Sequence, residues 1–169
     1  MATTYNLIQR TLLTSTTATI SFTSIPQTYT DLVFLISARQ NSSNYGGFYM
    51  KFNGSVVNSN VTAKRMFGNS GGVYNSTSTE MTWVYGSGMT ANAFSGGQIY
   101  IPNYTSSNNK SAWLEGTQES NMGVTQMLTA WLWSQTAAVT QVDFGVFDGG
   151  YPDAFVQHSS ISLYGISNA

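Results

Sequence analysis

The chain has 169 residues, 41% hydrophobic and 14% aromatic, which suits one domain (1–169) with a substantial core and argues against disorder. Only 8% are charged and the net charge is −1, which excludes a basic field for nucleic acid and leaves Ser, Thr, Asn, Gln, Gly and Tyr to cover the surface. There is no cysteine, and no apolar run approaches the roughly 20 residues of a membrane span, so disulfides, thiolate chemistry and a membrane partner are not expected.

The first stretch, MATTYNLIQR (1–10), has no cationic segment followed by an apolar one and is not read as a signal peptide. Its mixed make-up allows either a first strand or an N-terminal arm. ATISF (18–22) alternates as a short strand. In DLVFLISAR (31–39), Leu32, Phe34, Ile36 and Ala38 share one face and Val33, Leu35, Ser37 and Arg39 the other. That segment is apolar on both sides and reads as a central strand. GFYMKFNG (47–54) alternates Phe48, Met50 and Phe52 with Tyr49 and Lys51, then ends in Asn53-Gly54, a hairpin-turn signal. GQIYIP (97–102), SAWLEGTQ (111–118), TQMLTAWLWS (125–134), AVTQVDFGVF (138–147) and SSISLYGI (159–166) supply further strands. NMGVTQMLTAWLW (121–133) is the nearest approach to a helix, but its alternation and its Thr, Val and Trp content favour a strand. Pro26, Pro102 and Pro152 fall at strand boundaries. The expected fold is all-β: an antiparallel β-sandwich, jelly-roll-like, of eight to ten strands.

Catalytic patterns are thin. GNSGG (68–72) resembles the loop around the nucleophile of trypsin-like serine proteases. That triad needs a His and a carboxylate ahead of the Ser, whereas the single His, His158, follows Ser70. A flexible loop explains the motif. One His and no Cys leave no metal-ligand spacing, so no metal or cofactor is expected. Asp148 and Asp153 in DGGYPD (148–153) lie in a Gly/Pro turn with few carboxylates for a cation. Glu115 and Glu119, four residues apart on one strand face, stand about 13 Å apart, too far for a glycosidase pair. The chain reads as a binding protein and not an enzyme.

Aromatic residues are the better candidates. Tyr45, Tyr74, Tyr85 and Tyr104 lie in Gly/Asn/Ser-rich segments and are candidate interface or glycan-contact residues. Trp131 and Trp133 share one strand face; they are expected first as core, with an interface or a sugar platform as alternatives. Six N-x-[ST] sequons, at Asn41, Asn53, Asn60, Asn75, Asn103 and Asn109, follow from a surface rich in Asn, Ser and Thr and need no glycan.

An ordered series of segments carries a resemblance: TYNLIQ, IPQTYTDLVFLISAR, IYIPNYTSSNNKS, LWSQTAAVTQVDF and a closing SISLYGI. Together they resemble small β-rich structural proteins of tailed bacteriophages, especially marine and cyanobacterial ones. The likeness covers most of the chain and is weaker over residues 53–96. It implies a virion component made in the bacterial host cytoplasm. The leading expectation is a capsid decoration (cement) protein, a homotrimer or other homo-oligomer, with the phage major capsid protein as partner. The alternative is a tail-fibre or receptor-binding module recognising host surface glycans. The shared segments bear fold, so no functional residue is carried across.

Overall fold

The computed structural model describes residues 4–43, 46–120, 123–148 and 151–167. Thirteen strands are present among them: β1 (Tyr5–Leu12), β2 (Thr19–Phe22), β3 (Asp31–Ala38), β4 (Gly46–Phe52), β5 (Val61–Asn69), β6 (Gly72–Thr77), β7 (Thr82–Val84), β8 (Ser95–Ile101), β9 (Lys110–Ser120), β10 (Gly123–Trp133), β11 (Val142–Asp148), β12 (Tyr151–Pro152) and β13 (Ser160–Ile166). They form two antiparallel sheets packed as a sandwich. The first has eight strands in the order β1-β13-β3-β8-β9-β10-β5-β6. The second runs β11-β4-β7, with β2 and β12 pairing successive parts of the other edge of β11. Facing β1-β13-β3-β8 with β2-β11-β4-β7 gives the strand order of a jelly roll. The hairpins β5–β6 and β9–β10 then extend the first sheet beyond its partner.

The count exceeds eight to ten because β5, β6 and β7 lie in the Gly-, Ser- and Asn-rich middle. Those segments carry little apolar alternation; β6 has no fully buried residue. Of the two forms open to the N-terminal stretch, residues 5–12 adopt the strand, paired along β13, with Ile8 packed against the core.

Alternation sorts the core as expected. Phe22, Phe34, Phe48 and Phe144 meet in the centre with ring centroids 5.0–6.1 Å apart. Phe52 takes the edges of Trp131 and Trp133, each at 5.2 Å. Ring pairs of this kind contribute about 0.5–1.5 kcal/mol beyond the area they bury. Residues 121–133 hold no helix among those described; β10 runs to Trp133, pairing β9 on one side and β5 on the other.

The Asn53-Gly54 signal forms its tight turn but no hairpin. Both residues have positive φ (52° and 68°), and the Ser55 amide donates to the Phe52 carbonyl at 2.9 Å. Both edges of β4 are already taken by β11 and β7, so the chain leaves the turn for the other sheet. Asn53 also clamps the segment ahead of β11. Its Oδ1 accepts from the Thr140 and Gln141 amides (2.9 and 3.1 Å), and its Nδ2 donates to the Ala138 carbonyl at 2.8 Å. This sequon asparagine thus has a structural role that a glycan on Nδ2 would disrupt.

Buried polar groups hold the connections. Arg39, 8% exposed, pairs with no carboxylate among the described residues; its guanidinium donates to the carbonyls of Ser87, Met89, Thr90 and Ala93 at 2.8–3.3 Å. One side chain thereby gathers the β7–β8 loop. Lys110 plays the same part after β8, donating to the Ser106, Asn108 and Thr136 carbonyls. Desolvation lowers its pKa below the usual lysine value.

Candidate functional site

Two surfaces on the extended sheet stand out. One is the inner face of the overhang. The second sheet ends at β7, where two carbonyls are capped from the first sheet: Thr129 Oγ1 donates to the O of Met81, just ahead of the strand, at 2.5 Å, and Gln118 Nε2 donates to Trp83 O. These caps meet the hydrogen-bonding need of an edge strand and explain two buried polar side chains. Beyond that edge, the side chains of β5 and β6 that point toward the core elsewhere in the sheet have no opposing layer.

There Phe67 and Tyr74, opposite each other in the β5–β6 register, stack with centroids 5.4 Å apart and planes 23° apart. Trp83 meets Phe67 at 5.1 Å and 66°. The Arg65 guanidinium lies 4.9 Å from the Trp83 ring centre and pairs with Glu80 at 2.9 Å. Arg65 Nε donates to Ser76 Oγ at 2.8 Å and Trp83 Nε1 to Glu80 Oε2 at 3.3 Å. Asn69, Gln118 and Thr125 complete a cleft of about 340 Å3 with Phe67, Tyr74 and Trp83.

The other surface is the outer face of the same sheet. Leu7, Leu12, Leu35, Met66, Trp113, Leu128 and Leu132 point outward and are 37–57% exposed. One cross-strand row runs Leu7, Tyr164, Val33, Tyr100, Trp113, Ala130. Trp113 stacks on Tyr100 at 5.8 Å and borders a groove of about 530 Å3 with Met66 and Leu128. Tyr100 OH donates to Asp31 Oδ2 at 2.7 Å, and that bond is the main reason its pKa is pushed up to about 12. Single exposed apolar residues are ordinary; seven on one sheet face are not.

The sequence-derived candidates divide. Tyr74 is 44% exposed and lines the cleft. Tyr85, Tyr104, Trp131 and Trp133 are buried within the chain, which removes them as surface contacts. Tyr85 and Tyr104 sit in loops, as expected, but these loops fold inward. Tyr104 OH donates to the Pro26 carbonyl, and Tyr85 neighbours the Arg39-bound loop. Trp131 and Trp133 fill the space beside Phe52. Tyr45 lies outside the described residues, as do Gly149 and Gly150 of the DGGYPD segment.

Sequence reasoning missed Phe67, Arg65 and Glu80, and it weighed Trp83 only together with the other tryptophans as core, interface or sugar platform. These residues are 2–18 residues apart in the chain, and only the register of β5 and the edge position of β7 bring them together. Ser70 of GNSGG sits in the β5–β6 turn, where the Gly71 amide donates to Asn69 Oδ1 at 2.8 Å. His158 precedes β13, with five strands between β13 and β6, roughly 29 Å of sheet, so the two cannot form a proton relay. Among the described residues no group of three or more His, Cys, Asp or Glu could hold a metal ion. No protein-family model matches the chain, and no curated protein is similar enough to carry an activity across.

Proposed function

We propose that the protein is a structural component of a tailed-bacteriophage virion that acts by binding rather than catalysis. Its leading role is capsid decoration: it assembles as a homo-oligomer and clamps neighbouring subunits of the major capsid protein. The observation that carries this reading is the apolar outer face of the eight-stranded sheet, seven large side chains that a freely soluble monomer has little reason to expose. Covering that face with further copies of the chain, or with the capsid lattice, removes apolar area from water at about 25 cal/mol per Å2. The low charge (8%) supports the same reading, since such a surface gains little solubility from repulsion. The likeness of the strand-forming segments to phage structural proteins supplies the biological setting. Repetition on a lattice adds avidity to each weak contact.

A receptor-binding module is the second reading, favoured by one observation: the open aromatic cleft beside Tyr74. Copy number separates the two. Immunogold labelling of intact particles with an antibody to this chain is expected to give dense label over the head. Sparse label at the tail would replace decoration with receptor binding, and unlabelled particles from a phage encoding the chain would end the virion reading.

A further inference from the structure

We propose that the cleft at the end of the overhang is a binding site for a neutral sugar ring. The inference concerns the cleft alone and does not depend on where on a particle the protein sits. Three features carry it.

The first is geometry. Phe67 and Tyr74 are nearly parallel while Trp83 stands at 66° to Phe67, so the cleft is an aromatic corner and not a flat patch. A pyranose presents C–H groups made slightly positive by the adjoining oxygens, and these are attracted to the negative face of an aromatic ring. One face of Tyr74 is spent on Phe67, and the residue is still 44% exposed, which leaves ring surface for a ligand.

The second is the polar lining. Asn69 and Thr125 bring amide and hydroxyl groups to the aromatic corner; Gln118 also lines it, with its Nε2 already given to the Trp83 carbonyl. Asn69 Oδ1 accepts from the Gly71 amide, which orients the side chain and leaves its NH2 for a hydroxyl. A few placed polar groups among apolar walls is the usual make-up of a small-molecule site.

The third is charge. Arg65 and Glu80 are the ionic groups flanking the corner, and they neutralise each other at 2.9 Å. No net charge is left to hold a phosphate, a sulfate or a sialic acid carboxylate. Instead the pair fixes Trp83, with the guanidinium against its ring and the carboxylate accepting from its indole N–H. A ring held in place before binding lowers the ordering cost of association. Glu80 is also the one carboxylate at the corner among the described side chains; Glu115 points from the opposite face of the sheet. Among the described side chains no glycosidase pair is assembled, and the proposed role is to hold a sugar rather than to cleave it.

The test uses the full-length protein and a panel of neutral oligosaccharides built on glucose, galactose, mannose and N-acetylglucosamine, beside sialylated and sulfated ones. Binding is followed through the four tryptophan indole N–H resonances. At least one neutral sugar should bind saturably and shift the Trp83 resonance while Trp113, on the opposite face, stays in place. Tyr74→Ala should weaken that binding more than tenfold with an unchanged circular dichroism spectrum, and Val56→Ala, at an exposed loop position, should leave it intact. Should Tyr74→Ala disturb the hairpin, the resonance shifts of the unaltered protein still locate the site. Binding restricted to acidic sugars, a shift at Trp113 instead of Trp83, or no binding at millimolar sugar would each overturn the proposal. None of these results bears on particle labelling, so the two readings fail separately.

Discussion

In the jelly-roll half, each inward side chain of one sheet meets one from the other; Phe34 on β3 and Phe144 on β11 lie 5.0 Å apart across the layers. In the overhang, β5 and β6 pair as regularly, but no second sheet lies opposite, and Phe67 packs on Tyr74 and Trp83 instead. The strand chemistry is shared. What differs is whether a partner layer is present, and that decides whether an aromatic residue becomes core or binding surface.

Substitutions sharpen the contrast. Phe144→Ala removes the ring at the centre of the aromatic cluster and should cost about 3–5 kcal/mol in urea unfolding. Gly145→Ala should cost about 1–3 kcal/mol, because a Cβ there would lie 2.1 Å from the Tyr49 ring that covers it, and the ring has to shift. Phe67→Ala in the overhang should cost only about 1 kcal/mol, since its ring is already partly in water. A cost near that of Phe144→Ala would mean the overhang is a core in its own right, and the comparison would fail.

The smallest effect expected is pH-dependent. Tyr100 has its pKa raised from 10.0 to about 12 by Asp31, so the folded state holds a proton that the unfolded state has given up. Its contribution is complete below pH 10.0 and is lost as pH rises toward about 12. Tyr49 and Tyr104 are raised as well, chiefly by burial, and act with the same sign. Lys110, lowered by desolvation, acts in the opposite sense below pH 10.5. Tyr100→Phe should therefore flatten the fall in melting temperature between pH 10 and 12 without abolishing it. An unchanged slope would show that the Asp31 bond does not hold the phenol protonated.

Much of this fold is legible in the sequence because period-two alternation is strong where both sheets are present. Leu32, Phe34, Ile36 and Ala38 declare their shared face, as do Met127, Trp131 and Trp133. β5 and β6 are not legible in this way, since strands with no layer over most of their inner face are under little pressure to alternate; β7 is buried at Thr82 and Val84 but is only three residues long. The cleft was less legible still. Tyr74 could be singled out by its setting, but Arg65 and Glu80 become partners only through the β5–β6 hairpin and the turn into β7. Loop composition misled for Tyr85 and Tyr104. Gly, Ser and Asn signal a turn but not whether it folds over the core, and here Arg39 and Pro26 draw both tyrosines inward.

On the proposed reading, the outer face of the long sheet joins copies of this chain into a homo-oligomer. Sedimentation velocity on the wild type and on a Leu35→Asp, Leu128→Asp double variant tests it most directly. Both positions are exposed, so the variant should keep its fold and its melting curve as a monomer. The wild type is expected to sediment as a discrete oligomer and the variant as a monomer. A wild type that stays monomeric up to about 100 µM, where even a weak self-association would register, would contradict the claim.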